Sequence, residues 1–292
     1  MILYNPKTWF SLIFHNYGRH VIRTLRPALI FIMIYSGAIC FVIITWLKLH
    51  EQDWHSTITM HQLLGIVLGL FLVFRTNTAY ERWWEGRKLW GLMVNNTRNL
   101  ALKVGSFLGR EDKEERIWFA QMIPNIPYSL KEHLRGNVKR EELDLVDEEM
   151  HKAIEKAKHV PNMLSLMLYD RVNDLYKKGK ITGDHLIVMD RELKEYSDII
   201  GACERIKNTP IPYSYSMYIK KFIFVYLLTL PFGMVTVEEY ITIPIVLLIT
   251  YVLLGVELIA EEIEDPFGRD ANDLPTDELS SKIKENVREI LL

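Results

Sequence analysis

Charge almost disappears from four windows of this chain and returns between them at ordinary density. The windows run from Pro27 to Leu47, Trp54 to Phe74, Phe222 to Val237 and Tyr240 to Val256, the last two parted only by Glu238 and Glu239. At 1.5 Å per residue the second window makes a helix of roughly 30 Å, the depth of a bilayer's hydrocarbon layer. The third and fourth are short for spans, so tilt or interfacial anchoring is expected of them. The pattern predicts four membrane helices. An earlier apolar run, Trp9 to Phe14, is too short to cross and reads as an interfacial anchor.

The second window carries two periodic features. Gly65 and Gly69 stand four apart, which bares the backbone along one face and lets another helix approach closely where lipid supplies no hydrophobic drive for association. Beside them Ile66, Leu70 and Phe74 also repeat every four residues. If copies of the chain pack around an axis, that stripe becomes a stack of apolar rings, one way to build a gated ion pathway. Spacing alone is equally met by residues facing lipid or a neighbouring helix. The window then runs into a cluster of arginines and tryptophans (Arg75, Arg82, Trp83, Trp84, Trp90). Tryptophans beside arginines at a helix end mark a membrane interface or core packing. Arg75 and Arg82 are candidates for charges that draw anions to the inner mouth.

Between Gly86 and Asn208 the chain reads as helices with one packed face. Leu186, Met189, Leu193, Tyr196, Ile200, Cys203 and Ile206 recur at three and four, in a helix capped near Thr182 to Asp184 and stopped at Pro210. Further helices are expected over Lys88 to Phe107, Lys113 to Glu132, Glu141 to Lys158 and Met163 to Lys178, with breaks at Gly109, Gly136, Pro161 and Gly179. No strand-type alternation and no Ser- or Gly-rich linker interrupts them. The fold class is therefore all-α. Its expected divisions are 1–91 (interfacial segment and first two membrane helices), 92–215 (a cytosolic helical region), 216–260 (third and fourth membrane helices) and 261–292 (a cytosolic C-terminal segment).

Composition adds orientation. The 292 residues are 25% charged, and the mean hydropathy near zero averages oily and polar regimes. Arg19, Arg23, Arg26, Arg75, Arg82, Arg87, Lys88, Lys220 and Lys221 flank the windows on one side, whereas the turns on the other hold Lys48 with Glu51 and Asp53, then Glu238 and Glu239. Both termini and the middle region are expected in the cytoplasm of a multi-pass inner-membrane protein. A cleaved signal peptide is not expected, since the first apolar window is too long for one. A net charge of −2 with interleaved acids and bases offers no nucleic-acid surface. Cys40 and Cys203 make no disulfide framework and read as small buried apolar residues.

Three runs then resemble one family: FRTNTAYERWWEGRKLWG at Phe74 to Gly91, GACERIKNTPIP at Gly201 to Pro212, and AEEIEDPFGRDANDLP at Ala260 to Pro275. In that order they are similar to the signature segments of bacterial bestrophin-type ion channels. The resemblance implies a homopentamer with one pathway for monovalent ions on its fivefold axis, each subunit giving four membrane helices and a cytosolic helical part. It implies a neck of three rings at Ile66, Leu70 and Phe74, and a cytosolic aperture at Ile211. From the residues alone, Pro210 and Pro212 around Ile211 terminate a helix and stiffen the chain.

Selectivity stays open between chloride or other anions and cations such as sodium. Ring edges of Phe74 turned to an axis favour anions and ring faces favour cations. The resemblance points to prokaryotic members with an aliphatic middle ring, as Leu70 is here, and some of these prefer cations.

Calcium is the one cofactor to weigh. The acids Glu257, Glu261, Glu262, Glu264 and Asp265 precede a Pro-Phe-Gly turn, where animal relatives carry a dense acidic clasp. Here the turn has Asp270 and Asp273 interrupted by Arg269 and Ala271, so calcium gating is not the expectation.

Enzymatic readings find little. Glu148 and His151 form one E-x-x-H pair, but a di-iron bundle needs a second pair and two more glutamates. The competing class is a non-conducting membrane scaffold or sensor whose cytosolic helices bind a partner.

Overall fold

A computed structural model describes residues 16–48 and 58–292. The anchor at Trp9 to Phe14 and the start of the second window lie outside the described residues. Nine α-helices and no strand are present among the described residues. The windows become α1 (Asn16–Cys40), continued by a π-helical turn over Phe41–Trp46, and the first half of α2 (Ile58–Phe107), then α7 (Tyr213–Glu238) and α8 (Thr242–Glu264). The polar stretches become α3 (Lys113–Leu134), α4 (Glu148–Lys156), α5 (Val160–Lys177), α6 (Gly183–Asn208) and α9 (Thr276–Leu291).

Three helical stretches of the described chain are long and apolar enough to cross a membrane: His20–Trp46, Ile58–Phe107 and Gly183–Glu264. The last contains both α7 and α8. Glu238 and Glu239 stand where those two helices part, and Glu239 takes a left-handed φ of 48° that breaks the helix.

The chain divides into two compact units. One ends at Arg82 and resumes over Pro210–Glu264; the other consists of Trp83–Thr209 and Asp265–Leu292. In the first, Ile32 of α1, Leu68 and Leu72 of α2, Ile219, Ile223, Leu227 and Leu230 of α7 and Val246 of α8 close a shared core. In the second, α3 is the central helix, with α5, α6 and α9 packed on it. Its core takes Trp90, Met93, Leu100 and Val104 from α2. Cys40 and Cys203 are buried free thiols, as their setting in apolar runs suggested.

Glycine sets two of the expected helix ends. Gly136 (φ 96°) and Gly179 (φ 67°) follow the last residues of α3 and α5, where a side chain would be strained. Each is the left-handed residue of a Schellman turn: Asn137 N–H bonds to Glu132 O at 3.1 Å, and Lys180 N–H to Leu175 O at 2.9 Å. Thr182 caps α6 by accepting from His185 N–H at 3.3 Å.

Two expectations change. The helix expected over Glu141 to Lys158 is a 3-10 turn at Arg140–Glu142 followed by the shorter α4. The extended Asp147 starts that helix by accepting from Met150 N–H at 2.8 Å. The segment 261–292 holds a helix, α9, whose Ile283, Val287 and Leu291 recur every four residues and are buried. Arg116 caps its end on the carbonyl of Leu291 at 3.0 Å.

Candidate functional site

The neck candidates lie on one uncovered face of α2. Helical sampling at four residues puts Ile66, Leu70 and Phe74 in a line, and they are 65%, 56% and 60% exposed in the single chain. Leu63, Val67 and Val73 widen the same exposed surface, while the opposite face, with Leu68, Leu72 and Ala79, is buried. Large apolar side chains in a continuous stripe are left more than half uncovered by the described residues.

The two glycines differ in what they meet within the single chain. A Cβ built on Gly65 would meet the Tyr226 hydroxyl at 3.0 Å, so that glycine admits a side chain of α7 in the same chain. At Gly69 a Cβ would meet nothing within 4 Å. The helix that approaches Gly65 is thus α7 of the same chain, whose Tyr226 packs into this unit's core.

Directly after Phe74 the polarity inverts. Arg75 is 1% exposed, a guanidinium enclosed among helices of its own unit. Its Nη2 donates to Glu264 Oε2 at 2.7 Å, and its Nε lies 3.5 Å from Glu257 Oε1. Two carboxylates of α8 thus spend the charge of Arg75 internally, so it is not a free cation at an inner mouth. Enclosure is the reason: a buried guanidinium is tolerated only with carboxylate partners. Arg82, half-buried, donates from Nε to the Glu264 carbonyl at 3.1 Å.

Glu264 has a second task. Its Oε1 accepts the backbone N–H of Ile211 at 2.9 Å, while Oε2 serves Arg75. One carboxylate therefore ties the residue after the neck stripe to the Pro-Ile-Pro turn. Ile211 itself is only 7% exposed in the single chain. Tyr213, at the start of α7, is the exposed large side chain nearby in sequence.

The remaining acids at and just beyond the end of α8 are paired one by one. Glu261 meets Lys220, and Glu262 Oε1 lies 3.2 Å from His20 Nε2. Asp265, in the polar unit, meets Lys207 at 2.5 Å. The role of Glu264 as a bridge was missed from the sequence. Its only signal was an acid sited near an arginine at a membrane interface.

A family model described as Bacterial/Fungal Bestrophin protein matches residues 1–289. The chain belongs to the bestrophin family. A voltage-dependent anion channel-forming protein of Nostoc sp. is 35% identical over 97% of this bestrophin and 92% of its own length. The protein YneE of Escherichia coli (strain K12), with the same descriptive name, is 29% identical over 97% of the chain and 92% of its own. Among solved structures, a mutant of a bacterial Bestrophin homolog from Klebsiella pneumoniae is similar with a TM-score of 0.84 and 28% identity. It covers 92% of this bestrophin and 100% of that chain.

In this bestrophin the turn after Pro266-Phe267-Gly268 is held by its own acid. Asp273 Oδ2 accepts the Asp270 N–H at 2.6 Å, and Leu274 N–H bonds to Pro266 O at 2.9 Å. Burial pushes the Asp273 carboxyl up to about 6. Gly268 gives the Asp273 carboxylate room, since a Cβ there would sit 2.6 Å from Asp273 Oδ2 and displace it. Asp270 and Asp273 act here as turn-forming groups. Gly86 of α2 lets the turn seat closely, its Cβ position being 3.1 Å from Pro266 and 3.2 Å from Phe267. Trp83 donates to the Asn272 carbonyl at 2.9 Å, and Trp90 is fully buried, so both serve packing. Glu148 and His151 of the E-x-x-H pair are both exposed, and Glu148 lies 3.7 Å from Lys152.

Proposed function

We propose that this bestrophin is an inner-membrane anion channel, assembled as a homopentamer, in which Ile66, Leu70 and Phe74 of five α2 helices form an apolar neck around one axis. The observation that carries the reading is the uncovered stripe on α2. In a soluble protein such a surface would mark a binding face or an aggregation liability; on a membrane helix it asks for lipid or for copies of itself. The relatives' names give the ion class, and the four spans divide Gly183–Glu264 at Glu239, with both termini cytoplasmic.

Moving a bare ion into an apolar neck costs many kcal/mol, so a permeant anion keeps much of its water and conduction follows whether the neck is wet. Small changes of radius then switch flux. Because Arg75 is neutralised by Glu257 and Glu264, anion preference in this scheme comes from the neck itself, with Phe74 edges the candidate group. The turn at Ile211 moves with the neck through Glu264 and sets the exit through its exposed neighbours.

Purified protein in liposomes under a chloride salt gradient tests this. The reversal potential is expected near the chloride equilibrium value, and Leu70→Ala is expected to raise conductance severalfold. A reversal near the cation value replaces the anion assignment. Leak unchanged by adding the protein replaces the channel with the scaffold reading.

A further inference from the structure

The polar unit holds a convergence of ligating atoms that the ion pathway does not use. His133 comes from the last turn of α3, His159 from the cap position of α5 and Glu204 from α6. Glu204 Oε1 lies 2.7 Å from His133 Nε2 and 2.6 Å from His159 Nε2. The two rings are 4.5 Å apart between centres. All three side chains are about a quarter to a third exposed, at 26%, 31% and 26%, so the cluster is enclosed by three packed helices yet open to water. Among the described residues it is the one group of three such side chains whose ligand atoms all lie within 4.8 Å of one another.

The hydrogen positions are constrained. His159 Nδ1 accepts the Asn162 backbone N–H at 3.1 Å, so the neutral ring carries its hydrogen on Nε2, directed at Glu204. Two imidazole nitrogens thereby converge on a single carboxylate oxygen from separate helices. An ion placed among them exchanges those short contacts for three coordinate bonds.

We propose that His133, His159 and Glu204 bind one first-row divalent transition ion, of the zinc class, with a fourth position left to water. Two imidazoles and one carboxylate suit zinc, nickel or copper, whereas calcium and magnesium want six or more oxygens. Bonds of about 2.0–2.2 Å in tetrahedral array set ligand atoms roughly 3.4 Å apart. The present contacts need to open by under about 1 Å each, a side-chain rotation rather than a helix movement. Coordination through His159 Nε2 moves that ring's hydrogen to Nδ1, where it faces Asn162 N–H and ends the cap. His133 and Glu204 are therefore the stronger ligands, and the Asn162 amide reports loading. The bound ion would pin α3, α5 and α6 together in the unit that carries the polar half of α2.

Zinc titration of the full-length protein in detergent, after EDTA treatment, tests the site by calorimetry and by metal analysis. One zinc per chain is expected at micromolar concentration, with a raised unfolding temperature. His133→Ala and Glu204→Gln are each expected to weaken binding at least tenfold. His159→Asn keeps a good helix cap while removing the nitrogen ligand, so it is expected to fold like the parent in EDTA and to lose the zinc-induced stabilisation. Faster exchange of the Asn162 amide on zinc loading supports the tautomer step. Equal zinc affinity in the parent and in His159→Asn and Glu204→Gln places the ion elsewhere and overturns the proposal. So does a parent chain that holds no zinc at 100-fold molar excess.

Discussion

Helix α2 treats the same kind of residue in two opposite ways. In its first half Ile66, Leu70 and Phe74 stand largely uncovered; in its second half Trp90, Met93, Leu100 and Val104 are sealed at 0–1% exposure within the core of the second unit. Both sets follow helical spacing, and hydropathy does not separate them. What separates them is whether the chain itself supplies a cover. The second half buries one face in its own chain's core, while the stripe on the first half is open to lipid or to other copies of the chain.

Mutation breaks this contrast most strongly in the sealed half. Trp90→Ala leaves a cavity in a close-packed core and is expected to destabilise the fold by about 3–5 kcal/mol, whereas Leu70→Ala on the open face costs under about 1 kcal/mol and shows its effect in conductance. Urea or thermal unfolding of the two variants in detergent checks the pair. Comparable losses would mean that the stripe is as structural as the core.

Glu264→Gln sharpens the comparison at the boundary of the open stripe. The amide can still serve the Ile211 N–H, but Arg75 loses one of its two counter-charges while staying buried, at an expected loss of roughly 3 kcal/mol. Conductance of this variant is expected to change with it, because the buried Arg75 directly follows Phe74 of the stripe. Unaltered stability and unaltered single-channel current together would show that Arg75 rearranges without consequence.

The smallest effect is expected at the turn seated on Gly86. The Asp273 carboxyl titrates near 6 in the folded chain and near 3.8 when unfolded, so the folded state holds the extra proton between those values. Stability from this group is therefore greatest below about pH 4 and falls as pH rises to about 6. Asp273→Asn retains an acceptor for the Asp270 N–H and removes the buried charge, and is expected to raise stability at pH 7 by on the order of 1 kcal/mol. Melting temperatures from pH 4 to 7 should lose part of their downward slope in this variant. Asp277, which Arg135 and Lys131 hold well below the usual carboxylate range, contributes the opposite slope at lower pH and is untouched by the change.

Much of this was legible along the chain, for identifiable reasons. Charge-free windows, Gly136 and Gly179 as helix stops, Thr182 as a cap and the Glu238–Glu239 break are local rules, and each appears where the residues placed it. The stripe on α2 was legible because it needs only a period of four. The partners of Arg75 were not, since Glu257 and Glu264 stand some 180 residues away and only packing brings them in. Gly65 was legible only in part for the same reason: a bare backbone signals close approach without saying by whom, and Tyr226 arrives from the same chain. His133, His159 and Glu204 share no motif spacing, so their meeting is wholly a product of the tertiary fold.

The open face of α2 also bears on when the protein begins to work. A lone copy can shelter that face in acyl chains and is then a stable, silent resident of the bilayer, with no hole of its own. Under the pentameric scheme, current would rise steeply with the surface density of the protein, and dilution in the membrane would be a way to turn it off.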